Sequence, residues 1–181
     1  MMNSLAAHLP RLAGVFAALA LSGCANLLGP GLQPGVSTRD DLDATLGAPA
    51  MRWAEPDGSE RLAYPFGPAG FQTWMAVVSP NGRLVSIENV LEETHFARIQ
   101  AGMSQDEVLR TLGPSYPGWT VYYKARDELV WEWRYCDVFR EPARFDVLFD
   151  GTSGKVRSTF SSPERIAMPW GRGNRRDWCS R

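Results

Sequence analysis

The chain reads as an α+β protein of two tandem units, each of one or two short helices followed by a three-stranded antiparallel sheet. Three observations predict it. A motif running Gly, apolar, Ser, acidic stretch, Thr-Leu-Gly occurs twice, from Gly35 to Gly47 and from Gly102 to Gly113. Each copy is followed by short strand-like apolar runs, and in the second copy apolar residues recur at every second position, the period of a half-buried strand. The runs are separated by residues that suit turns, Pro80-Asn81-Gly82 in the first unit and Asp150-Gly151-Thr152-Ser153-Gly154 in the second.

Bulk composition sets the class. With 44% hydrophobic and 22% charged residues the chain is globular rather than disordered. A net charge of -1 and a pI near 6.1 supply no drive toward nucleic acid. Residues 1–23 read as a signal peptide. Arg11 is their only Lys or Arg, and Leu12 to Leu21 is apolar and rich in small side chains. Ten residues are too few to cross a bilayer core, which takes about 20. Leu21-Ser22-Gly23-Cys24 resembles the bacterial lipobox. The resemblance implies a lipid on the Cys24 sulfur and cleavage before it. Ala25 follows, rather than the Asp of inner-membrane retention, so it also implies the periplasmic face of the outer membrane. Two or more acyl chains hold a protein stably on a bilayer.

Residues 24–34 carry Gly29, Pro30, Gly31 and Pro34 and read as a tether. The first unit spans 35–90. Its helix is capped by Ser37 with Asp40, or by Thr38 with Asp41, and presents Leu42 and Leu46 on one face. Gly47 stands at a left-handed C-terminal cap. Strands follow at Arg61–Tyr64, Thr73–Ser79 and Leu84–Asn89, the last two joined by the Asn81-Gly82 turn.

The second unit spans 91–162. A helix over Leu91–Ile99 precedes the repeated motif. Ser104 and Glu107 form a capping box, Val108, Leu109 and Leu112 form the apolar face, and Gly113 with Pro114 ends the helix. Strands follow at Leu129–Tyr135, Arg144–Phe149 and Val156–Phe160. Leu129, Trp131, Trp133 and Tyr135 share one face of the first of these, with Glu132 and Arg134 on the other. Two readings of the aromatic face stay open. The rings pack under the helix, or they form an exposed ladder in which Trp131, Trp133 and Tyr135 bind a partner. Residues 163–181 read as a basic tail, with five Arg, Trp170 and Trp178, suited to an anionic lipid surface or to the acidic body.

Cys136 and Cys179 remain once Cys24 is lipidated. An even pair in an exported protein reads first as a disulfide. Free core thiols are the competing reading. A metal site is weak, since His95 is the sole histidine after residue 23 and no CxxC or HxxxH spacing occurs. No catalytic set and no cofactor are implied. Asp127-Glu128 and Glu92-Glu93 read as turns or solvated faces. The best enzymatic case is Cys136 acting with His95, and it ranks below a binding role.

Residues 102–114, Gly-Met-Ser-Gln-Asp-Glu-Val-Leu-Arg-Thr-Leu-Gly-Pro, resemble the signature of the SmpA/OmlA, or BamE-like, domain family. Tandem copies are similar to the fold of the β-lactamase inhibitory protein. The resemblance implies two helices and a three-stranded sheet per unit, and a non-enzymatic scaffold lipoprotein. Its partner would be an envelope protein, with the β-barrel assembly machinery as one candidate. An inhibitor that grips a periplasmic enzyme through aromatic sheet faces is the alternative.

Overall fold

The computed structural model describes residues 31–67, 69–164 and 179. Cys24, the signal segment and most of the C-terminal tail lie outside the described residues. The α+β class holds, and each sheet has four strands rather than three. The first runs in the order β1 (Met51–Ala54), β2 (Glu60–Pro65), β3 (Thr73–Val78), β4 (Leu84–Asn89). The second runs β5 (Val121–Tyr123), β6 (Glu128–Cys136), β7 (Pro142–Asp150), β8 (Val156–Pro163). All neighbours are antiparallel. The strands that sequence periodicity missed, β1 and β5, are four and three residues long. A run that short gives no readable alternation.

Helix α1 (Arg39–Leu46) precedes the first sheet and helix α3 (Gln105–Leu112) precedes the second. Both begin with complete capping boxes. The Thr38 N–H donates to Asp41 Oδ2 at 2.8 Å, and the Asp41 N–H returns to Thr38 Oγ1 at 3.3 Å. Ser104 and Glu107 make the same pair of bonds at 2.6 and 3.3 Å. Thr38, not Ser37, is therefore the first cap. Both helices stop at glycine, but not in the expected left-handed helical conformation. Gly47 has φ 80°, ψ -165° and Gly113 has φ 72°, ψ -171°. This extended region at positive φ is open essentially to glycine alone.

Further correspondences run through both units. Thr38 bridges Arg83 and Ser104 bridges Lys155, so each N-cap residue is tied to the start of its sheet's last strand. Each sheet carries one bulge, between Val77 and Val78 and between Leu148 and Phe149. The helix expected over Leu91–Ile99 shrinks to α2 (Glu93–Phe96). Leu91, Phe96 and Ile99 are nonetheless buried with the second sheet.

Four layers result: α1, first sheet, α3 with α2, second sheet. Leu42 and Leu46 pack on Leu62, Tyr64, Ala76 and Val78. Burying Leu42 alone contributes roughly 1.5–3 kcal/mol. The opposite face of that sheet, with Met51, Trp53, Ala63 and Met75, takes Leu109 of α3. Val108 and Leu112 of the same helix enter the core of the second sheet with Trp133, Phe145, Val147 and Phe149. One helix therefore serves both sheets. Its seam is closed by polar contacts. The Trp53 indole N–H donates to Asp106 at 3.1 Å, and Arg110 lies 3.6 Å from Glu55.

Candidate functional site

Cys136 and Cys179 are joined, with Cα atoms 5.6 Å apart. The expected bridge is present and closes a loop of 43 residues in sequence separation. It also engages the thiol that the enzymatic alternative requires. His95, the other member of that pair, is 5% exposed. Its Nε2 lies 3.3 Å from the Glu88 carboxylate without hydrogen-bond alignment.

The aromatic face of β6 is turned inward. Trp133 is 2% and Tyr135 3% exposed. Trp133 donates its indole N–H to the Gly113 carbonyl at 3.3 Å, so the ring is locked under the end of α3. Trp131 is half-buried and meets Phe149 edge-on at 4.7 Å. Phe96 stacks on Phe145 and meets Tyr135 edge-on, filling the rest of this layer. The expectation of an exposed ladder at Trp131, Trp133 and Tyr135 therefore gives way to the core reading. Helices α2 and α3 supply the cover.

The outer face of the second sheet holds charges instead. Glu132, Arg134, Arg144 and Asp146 project there with Glu164, just beyond β8. Arg134 and Arg144 meet the two oxygens of Glu164 at 2.8 and 2.9 Å, and Arg144 also bonds Glu132. The Trp119 ring lies 4.3 Å from the Arg144 guanidinium, and Phe71, from the loop between β2 and β3, lies 4.1 Å from that of Arg134. Arg134 also donates to the Ala69 carbonyl at 3.2 Å, which ties that loop of the first unit to the second sheet. Burial, and then the neighbouring Glu132 carboxylate, push Asp146 up to about 6, against the pull of Arg144. Its Oδ1 has no hydrogen-bond partner. Glu164, assigned from sequence to the basic tail, belongs to this network.

Next to the network lies an open cleft of about 730 Å³. Phe66, Phe71 and Leu91 give it apolar walls, Glu92, Asp137 and Arg140 stand at its polar positions, and the Cys136–Cys179 bridge forms part of the lining. The cleft is a product of the seam. Its residues come from the loop after β2, the connection after β4, and the hairpin between β6 and β7. The sequence reading places Asn89 at a strand end, Leu91 in a helix, Glu92 on a turn or solvated face and the two cysteines in a bridge, but brings none of them together as a cleft. The legible signal was the apolar pair Val138-Phe139 in a turn, where polar residues are the rule.

The described residues thus define a disulfide-bridged α+β protein of two helix-plus-sheet units with an open cleft at their seam. No family model, no curated protein and no solved structure matches the chain.

Proposed function

We propose that this protein is a lipid-anchored, non-enzymatic binding module of a bacterial envelope, built from two copies of one small unit. The observation that carries the reading is the joint use of cysteine. Cys24 stands at the end of a lipobox-like sequence, and the two remaining cysteines form a bridge. Stable disulfides belong to oxidising compartments such as the periplasm. The bridge therefore supports the export that the first 23 residues imply. The likeness of residues 102–114 to the SmpA/OmlA signature adds support, as do two capped helices each feeding an antiparallel sheet. The partner is an envelope protein, with the outer-membrane assembly machinery the first candidate. The anchor sits on the periplasmic face of the outer membrane.

Fractionation tests the anchor. Wild type goes with the outer membrane, whereas Cys24→Ser becomes soluble or stays uncleaved in the inner membrane. Outer-membrane fractionation of Cys24→Ser like wild type would refute the anchor. Crosslinking of the lipidated protein in its own envelope, read by mass spectrometry, tests the binding role. β-barrel assembly components among the adducts would favour the scaffold reading, and a single soluble hydrolase would favour an inhibitor.

A further inference from the structure

Three hairpins of this fold close with one geometry. In each, the first residue's N–H bonds the carbonyl of the fifth, and the fourth residue's N–H bonds the carbonyl of the first. The turns are Glu55–Ser59, Ser79–Arg83 and Asp137–Glu141, with all six bonds between 2.8 and 3.0 Å. The fourth position needs positive φ. Gly58 fills it at 81° and Gly82 at 78°, but Arg140 fills it at 59°. An L side chain is strained there. The preceding two residues differ in the same way. They are Pro56-Asp57 and Pro80-Asn81 in the first two turns, and Val138-Phe139 in the third. Val138 is 71% and Phe139 80% exposed. The third hairpin therefore carries an apolar tip and a strained cation where the same turn elsewhere is polar and glycine-closed.

That tip stands on the rim of the seam cleft, since Asp137 and Arg140 line it. Phe66, on the same lining, is 69% exposed. Exposed apolar patches beside a recess mark contact surfaces. Arg140 has no ion-pair partner among the described residues. Two carboxylates border the cleft with oxygen to spare: Asp137 uses Oδ1 for the Phe139 and Glu141 amides, and Glu92 uses Oε1 for Asn89. One surface thus carries a tip with a cation beside a recess with apolar walls and acids. A surface with both halves side by side is self-complementary about a two-fold axis.

The geometry points to a symmetric dimer in which each Val138–Phe139 tip fills the cleft of a second copy and Arg140 pairs with that copy's Glu92 or Asp137. The surface lies at the end of the first sheet away from residues 35–38, which pair with the start of β4. A chain tethered through those residues keeps this end free.

The test uses the full chain in its own membranes, with a photo-reactive phenylalanine analogue at position 139, and at exposed Val85 as control. The expected product at 139 is a covalent dimer joined to the Phe66–Phe71 or Leu91 region, absent at 85. Arg140→Glu abolishes it, and Arg140→Glu with Glu92→Arg restores it. Arg140→Gly, which the turn accepts, raises the melting temperature of the monomer while cutting dimer yield at least tenfold. An adduct to lipid or to a different protein in place of the dimer overturns the inference and leaves the anchored binding role standing. A dimer yield unchanged in Arg140→Glu overturns it as well.

Discussion

Two glycines at equivalent positions separate backbone strain from crowding. Gly47 and Gly113 share one conformation, yet a Cβ on Gly47 meets nothing within 4 Å, while one on Gly113 falls 2.7 Å from Thr73 Cγ2. Gly47→Ala should cost about 1–3 kcal/mol from its positive-φ extended backbone alone. Gly113→Ala should cost about 1–3 kcal/mol more, from overpacking at the seam. Equal losses in chemical melts would show that α3 does not press on the first sheet. Asp146 gives a pH signature. Its folded value near 6 lies above the ordinary 3.8, so the fold binds this proton where the unfolded chain does not. Its penalty is full above pH 6 and relieved as pH falls toward 4. Wild type should therefore gain stability between pH 7.5 and 5.0 relative to Asp146→Asn, as read from urea midpoints. Parallel profiles would remove the claim. The carboxylates held low, Asp150 at about 2 among them, act below this window. Residue chemistry of this kind was only half legible in advance. The capping pairs are local, and three residues of spacing suffice to see them. Glu164 meets Arg134 and Arg144 only through the register of three strands, which no spacing along the chain encodes.

At the scale of elements, strand β6 decides which aromatic surface is structural. Its alternation was readable because nine residues give the period room to repeat. The choice of covered face was not, since Trp, Trp and Tyr suit a core as well as a contact surface. Burial of Phe96 from the shortened α2 and of Leu91 just before it completes the cover, and a four-residue helix leaves little periodicity to recognise. Trp133→Ala should cost about 3–5 kcal/mol. Trp131→Ala should cost less, because its ring is only half-buried. Thermal melts of the two variants decide the order. A native-like melt for Trp133→Ala would return the strand to the list of binding surfaces. The edge strands β1 and β5 escaped notice for the opposite reason, being too short to show any pattern.

For the whole molecule, the sharing of α3 predicts cooperativity. Among the described residues, the face of the first sheet with Met51, Trp53, Ala63 and Met75 packs with Val90 and with Leu109 of α3, from the second unit. Calorimetry of the full chain should show one transition, and a fragment of residues 31–90 should lack a cooperative melt and bind hydrophobic dyes. Two resolved transitions would mean that the units are independent. The same stacking could in principle continue. A sheet whose back is apolar accepts the next helix, and that helix brings another sheet. The back of the second sheet is different, with Glu132, Arg134, Arg144, Asp146 and Glu164 where the first sheet has Met, Trp and Ala. That face offers a third helix paired charges instead of apolar side chains, with Glu164 already buried between two arginines, and every buried charge that docking left imperfectly paired would cost stability. A face of matched charges acts in this way as a terminator, turning away the apolar helix face that the first sheet accepts and opposing open-ended stacking of such layers.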